Sequence, residues 1–547
     1  MNLPSDDECK IEGYAAPISV SAGEQIAFHV STNAKSWAME IARVGADRHV
    51  VWRKDGRPGA RHSVPENAST HGCDWPVSLE LTIPQEWRSG YYSVMLRAAG
   101  SNGSDRIGEC FFVVRPPHPG RDARILLQLT TNTSSAYNTW GGSSLYRGPR
   151  EPGRRVSLCR PYAGLTGVDG IWFFSMPEQF SDDLQQPAIT ERFREEFQGR
   201  VHENSVPGIL LSAHASITVE QPGRQWWITD LQGSGPAGYR VRKRADQLDV
   251  YDGTTAWECG WRNWQHPFVA WAEREGYRID YAVNSDLEYR PEMLASYRLI
   301  LSVGHDEYWS APMRDHLEDY IDSGGNVAFF SGNTCYWQVR SEDDGRALVG
   351  WKDAHERDPV YQSGDRSRLT TLWCDRQVGR PENHLTGVSF AYGGYSRFFD
   401  QFQDASGGYT VHRPDHWVFA RTGLERGDIL GATDRIVTYE CDGCDLALKD
   451  GRPVPTHCDG TPESFEILAT APAGLTVADN SLEMISHALY GKKSFRQIQQ
   501  PGAAVLGLYS RGGTVVTVGC THWAHGLRGK DKAVMQITRN ILDRLSS

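Results

Sequence analysis

The sequence predicts an α/β protein with an N-terminal β-sandwich, and three observations predict it. Residues 11–115 carry short apolar or alternating runs parted by Gly, Asn and Asp, with no helical period. Arg115-Pro-Pro-His-Pro-Gly then makes a stiff linker. Beyond it, buried-type apolar runs alternate with amphipathic stretches, which is the pattern of βαβ units with right-handed crossovers. The expected domains are an immunoglobulin-like sandwich over 1–118 and an α/β domain over 119–547, with Gly- and Trp-rich elaborations at about 165–265 and 341–500.

In order, the sandwich strands are expected at Ile18-Ser-Val-Ser, Gln25-Ile-Ala-Phe-His-Val, Ala38-Met-Glu-Ile-Ala, Leu79-Glu-Leu-Thr-Ile, Tyr91-Tyr-Ser-Val-Met-Leu and Cys110-Phe-Phe-Val-Val. The second domain offers Ile125-Leu-Leu-Gln-Leu, Gly208-Ile-Leu-Leu-Ser, Tyr277-Arg-Ile-Asp-Tyr, Leu299-Ile-Leu-Ser-Val, Val327-Ala-Phe-Phe and Val515-Val-Thr-Val as buried parallel strands. A helix is expected over 311–322, with Met313, Leu317, Tyr320 and Ile321 on one face, Ser310 as N-cap and Gly324-Gly325 as its stop. Another over 532–545 carries Val534, Ile537, Ile541 and Leu545 at helical spacing.

Composition narrows the function. The 547 residues carry a net charge of −11 with no Lys/Arg block, which argues against nucleic-acid and anionic-membrane partners. No stretch approaches about 18 consecutive apolar residues, and the acidic N-terminus has no signal-peptide core, so a cytoplasmic protein is expected. Eleven scattered cysteines read mostly as reduced core residues. Cys441, Cys444, His457 and Cys458 include one C-x-x-C, but their spacing is no usual zinc site.

Sites in such sheets form beyond the carboxyl ends of the strands. Three passages lie there: 130–142 after the strand at 125–129, Gly304-His-Asp-Glu-Tyr-Trp after 299–303, and Gly332-Asn-Thr-Cys-Tyr-Trp after 327–330. If the chain stays extended, His305 and Glu307 point the same way, a geometry suited to one metal ligand and one orienting or proton-carrying group. No nucleophile elbow, Walker A loop, dinucleotide fingerprint or His-Glu-x-x-His helix occurs. A paired-histidine zinc site would have to recruit His214, His522 or His525. Trp140, Tyr308, Trp309, Tyr336, Trp337 and Trp523 flank the passages, so an aromatic-walled pocket favouring alkyl or aryl substituents is expected.

Ala136-Tyr-Asn-Thr-Trp-Gly-Gly, Val156-Ser-Leu-Cys-Arg-Pro-Tyr, Pro267-Phe-Val-Ala-Trp-Ala-Glu, Ser302-Val-Gly-His-Asp-Glu-Tyr-Trp-Ser, Gly332-Asn-Thr-Cys-Tyr-Trp and Thr521-His-Trp-Ala-His-Gly-Leu together resemble the large (beta) subunit of N,N-dimethylformamidase. The resemblance implies an amidohydrolase with a sandwich followed by a glutamine-amidotransferase-like domain and one mononuclear non-haem Fe3+ per chain. It assigns Tyr137, Tyr162 and Glu307 as metal ligands, with Tyr146 in reserve for Tyr162. His305, Asn333 and Glu440 become the catalytic residues. It further implies a small amide substrate of formamide, dialkylamide or anilide type, and a homo-oligomer with a small accessory subunit. The family's lectin-like leading segment has no counterpart in this sequence, so dimethylformamide itself is not singled out. A non-catalytic scaffold binding a glycan or peptide is the alternative that the fold leaves open.

Overall fold

The computed structural model describes residues 9–99, 105–146, 152–162, 260–397, 402, 405–476, 481–491 and 502–547, together with the backbone of Ile217–Gln221, Arg224–Thr229 and Arg240–Lys243. The strand expected at 208–212 and His214 lie outside the described residues.

The first part of the chain is strand-rich, compatible with a β-sandwich. Strands β1 (Ile11–Ala16), β2 (Ser19–Ser21), β3 (Gln25–Thr32), β4 (Ser36–Val44), β5 (Arg48–Pro58), β6 (Leu79–Thr82), β7 (Gly90–Ala99) and β8 (Asp105–Arg115) form two sheets, ordered β1-β3-β6 and β2-β8-β7-β4-β5. Their inward faces meet in one core that includes Phe28, Ile41, Trp87, Tyr92 and Phe112. Two strands escape the sequence reading. β5 is exposed along almost its whole length, because it is an edge strand held by backbone pairing to β4. β1 pairs with β3 but carries Glu12 and Gly13 in place of clean alternation.

The second part is mixed α/β. Strands β9 (Ile125–Leu129), β10 (Ile279–Val283), β11 (Leu299–His305), β13 (Asn326–Gly332) and β20 (Gly513–Thr517) are parallel, in the order β10-β9-β11-β13-β20. Burial on both faces explains their near-continuous apolar character. The sheet then turns antiparallel through β19 (Gly502–Arg511), β18 (Glu466–Ala473), β15 (Tyr409–Val411) and β16 (Ile429–Leu430), giving nine strands among the described residues. Part of the 341–500 region therefore extends the central sheet, where the sequence suggested elaborations around a parallel one. Helix α2 (Ala311–Asp322) starts where Ser310 Oγ accepts the Met313 N–H, and α4 (Lys532–Leu545) where Asp531 accepts from Ala533 and Val534. Among the described residues no helix is long and apolar enough to cross a membrane.

The two parts are fastened together by buried polar groups. Asp286, fully buried, accepts from Ser19 Oγ at 2.7 Å and lies 3.4 Å from Arg115 Nε. Arg43 pairs with Glu273 at 2.7 Å, and Trp140 Nε1 donates to Glu12 at 3.1 Å.

Candidate functional site

β11 and β13 run in parallel register with His305 opposite Gly332, so both strands deliver their ends to one level. There the three passages are sewn together by backbone groups. The Glu307 N–H donates to Thr133 Oγ1 at 2.9 Å, while Tyr336 and Trp337 N–H groups donate to the Glu307 carbonyl at 3.0 and 2.8 Å. Thr133 and Tyr137 sit on α1 (Thr131–Tyr137), the short helix that follows β9. β12 (Tyr308–Ser310) and β14 (Trp337–Glu342) pair in parallel, setting Tyr308 beside Trp337.

His305 and Glu307 do turn to the same side, with Nε2 of the first 3.4 Å from Oε2 of the second. Asp306 turns the other way and accepts from Ser302, Gln128 and Asn284, a structural role. Gly304, at φ +87°, is required here: a Cβ would lie 2.5 Å from Trp264 Cβ, and Trp264 packs edge-on against His305.

Asn333 follows β13 in the left-handed region, at φ +50°, which Asn tolerates better than most residues. The Asp442 carboxylate holds this turn by accepting the N–H groups of Asn333 (2.9 Å) and Thr334 (3.1 Å). The Asn333 side chain is thereby aimed inward, its Nδ2 3.3 Å from His305 Nε2. Glu440 opens β17 (Glu440–Gly443) and arrives from far along the chain. Its Oε2 is 2.9 Å from His305 Nε2, and Tyr395 donates to its Oε1 at 3.4 Å. The alignment at Oε2 is too poor for a hydrogen bond, so that oxygen is buried without an aligned donor, as are Glu307 Oε2 and Asn333 Oδ1. Around one imidazole, then, stand three buried oxygen atoms in need of a partner.

Burial pushes the Glu307 carboxyl up to about 7, with nearby Glu440 adding to the rise; His305, Lys352 and a hydrogen bond from Tyr137 act against it. Asp442 is likewise pushed up to about 7 by burial, against the two N–H groups it receives. Tyr137 is buried, with its ring stacked on Tyr146 at 4.8 Å. Tyr162 instead packs against Phe111 in the large core cluster, its hydroxyl 2.8 Å from Ser135 Oγ. Tyr146 thus meets the Tyr137 ring, while Tyr162 meets the same helix α1 two residues earlier, at Ser135.

Lys352 was not legible in the sequence. Its ammonium is buried, donates to Tyr308 at 3.0 Å and lies over the rings of Tyr146 (3.9 Å) and Trp337 (4.5 Å). Burial pulls it down to about 8. No local spacing announces such a cage, because its walls come from three separate stretches. Of the six aromatics expected to wall the pocket, Tyr308, Tyr336 and Trp337 share the Tyr137 cluster. Trp309 and Trp523 pack in other clusters, and Trp140 packs edge-on against Trp75 of the strand-rich part, so these three do not wall the site.

No group of three His, Cys, Asp or Glu among the described residues is spaced as a metal shell. A phenol–carboxylate set falls outside that class, and here the Tyr137 hydroxyl meets Glu307, whose Oε2 awaits a partner. Hard anionic oxygens in a dry site suit a hard cation. The cysteine cluster is dispersed: Cys441 and Cys444 lie in different cores, Cys458 is exposed, and His457 bonds the Thr461 carbonyl. His522 and His525 pack ring to ring at 4.3 Å, with His525 Nε2 3.4 Å from Asn263.

Comparison with known proteins adds the following. The family described as N,N-dimethylformamidase beta subunit-like, C-terminal, matches residues 38–536. The N,N-dimethylformamidase beta subunit of Alcaligenes sp is 31% identical over 236 residues, covering 38% of this chain and 27% of that protein. That of Paracoccus aminophilus is 31% identical over 81 residues, covering 14% of this chain and 11% of the relative. The alignments thus span well under a third of either relative. Among solved structures, CopC from Methylosinus trichosporium OB3b matches 19% of this chain and 96% of its own, at 20% identity and a TM-score of 0.12, too slight a likeness to bear on the fold.

Proposed function

The chain belongs to the N,N-dimethylformamidase beta subunit-like family, and from that premise we propose that it hydrolyses the C–N bond of an N-substituted amide to a carboxylate and an amine. The observation that carries this reading is the trio of buried oxygens of Glu307, Glu440 and Asn333 gathered around His305 without aligned donors. Burial of unmet acceptors costs stability, so a site that keeps three is arranged for something that arrives. The same premise supports an immunoglobulin-like unit over 1–118 and an amidotransferase-like catalytic domain over 119–547.

Tyr137 and Glu307 fit one Fe3+ per chain, with Tyr162 as the second phenol and Tyr146, stacked on Tyr137, in reserve. When bound, such an ion supplies Lewis-acid polarisation of the amide carbonyl. The remaining steps belong to the chain. Glu440 takes a proton from the attacking water as its oxygen bonds the carbonyl carbon. His305, with Nε2 2.9 Å away, offsets the charge of that carboxylate when the imidazole is protonated. Asn333 Nδ2 donates to the developing oxyanion, a contribution of about 2–4 kcal/mol in comparable sites. The proton then goes to the departing nitrogen as the C–N bond breaks. Trp264, Tyr308 and Tyr439, all buried, keep bulk water out.

The ten described cysteines are all free thiols, which supports a reducing, cytoplasmic setting. The family premise supports a homo-oligomer with a small accessory subunit. Metal analysis joined to an amine-release assay tests the function. About one iron per chain and amine release are expected, with Glu307→Ala losing both while the far-ultraviolet circular dichroism stays unchanged. Stoichiometric zinc, or amide turnover untouched by Glu307→Ala, overturns the assignment.

A further inference from the structure

Tyr146, Trp337 and Lys352 also face outward, onto a cleft of about 1020 Å3 whose farther walls include Tyr361, Leu372 and Met484. Clefts that hold drug-sized ligands enclose roughly 300–1,000 Å3. Dimethylformamide, with its handful of heavy atoms, would leave most of this volume to water. The cleft shares its inner wall with the site: the Tyr146 ring stacks on Tyr137, and Lys352 donates to Tyr308, the residue next to Glu307.

What the inner wall offers is specific. The rest of the lining carries both signs, Asp353, Glu356, Asp375 and Glu483 against Arg376, so charge alone selects no substituent. An alkyl group gains only contact area. An aryl ring gains the same area, and its face also attracts the ammonium, an interaction typically worth about 0.5–2 kcal/mol. Leu372 and Met484 provide apolar and adaptable surface for the ring's other side.

We propose that this cleft receives the larger substituent of the substrate and selects an aryl ring, so that aryl amides of the anilide type are the substrate class. The inference rests on the amidohydrolase reading above, and its test separates the two.

Met484 lines the cleft from helix α3 (Ser481–Tyr490) and takes no part in the catalytic set, so Met484→Trp fills the space from its outer wall. Amine release from formanilide and from N,N-dimethylformamide is compared in wild type and variant, with calorimetric titration of formanilide into both. The expected kcat/KM favours formanilide by at least about tenfold in wild type. Met484→Trp lowers the formanilide value by about tenfold, chiefly through KM, and leaves dimethylformamide within about twofold. Formanilide heat of binding is expected in wild type and lost in the variant. Equal effects on both substrates, or unchanged formanilide binding in the variant, overturn the cleft assignment while amide turnover leaves the activity standing. Absence of amine release from either amide overturns the activity itself; formanilide binding that Met484→Trp abolishes would then still support the cleft.

Discussion

Glu382 shows what burial does to a single carboxylate away from the site. Neither of its oxygens has an aligned donor among the described residues, and burial pushes it up to about 8. Between its ordinary value of 4.5 and about 8, the folded chain holds a proton that the unfolded chain has released. Stability therefore falls as pH rises through that window. Asp280, raised by burial to about 6, acts in the same direction over the lower part of it. The expected outcome is a higher melting temperature at pH 5 than at pH 8.5 by scanning calorimetry. Glu382→Gln, which cannot ionise, should recover on the order of 1 kcal/mol or more at pH 8.5 and nothing at pH 5. An equal shift at both pH values would mean that the carboxyl is ionised in the folded chain throughout.

Among elements, the turn after β13 sets the geometry of the site. Gly332 admits the Glu440 carbonyl and Thr521 N–H to within 2.6 and 2.7 Å of where a Cβ would stand, and Asp442 then clamps the next two N–H groups. Asp442→Asn leaves one of those N–H groups facing an amide NH2, so Asn333 should lose its aim. A fall in kcat of about 10–100-fold with KM little changed is expected, read by steady-state kinetics on any turned-over amide. A drop confined to KM would place Asn333 in binding alone. The sequence pointed to the passages that hold His305, Glu307 and Asn333 because each adjoins a strongly apolar strand, and periodicity finds such strands. It disclosed α2 and α4 through their caps and stripes. It missed β5, whose partner is backbone, and β15 and β16, which are only three and two residues long. Lys352 had no signal at all, and Tyr146 stood only in reserve through the family resemblance, since a cage assembled from distant rings leaves no local pattern.

For the molecule as a whole, the junction between the strand-rich part and the α/β part is a polar weld. Asp286 depends on Ser19 and Arg115, and Glu273 on Arg43 and the Ala46 N–H at 2.7 Å. Removing one partner of a buried pair typically costs about 3–5 kcal/mol because the other charge is stranded. Arg115→Met should accordingly lower the melting temperature markedly, while Asp286→Asn combined with Arg115→Met should recover part of the loss. Additive losses in the double variant would show that the pair is not coupled. The attachment of Glu440 carries a consequence of another kind. Its carbonyl receives the Thr521 N–H, and the Asp442 N–H reaches the Gly519 carbonyl, so the strand that presents this carboxylate is seated by residues near the end of the chain. During synthesis, His305, Glu307 and Asn333 leave the ribosome nearly two hundred residues before that seat exists. On the proposed function, a growing chain therefore lacks part of its acid–base set until Gly519 and Thr521 are made, and competence arrives all at once rather than by degrees.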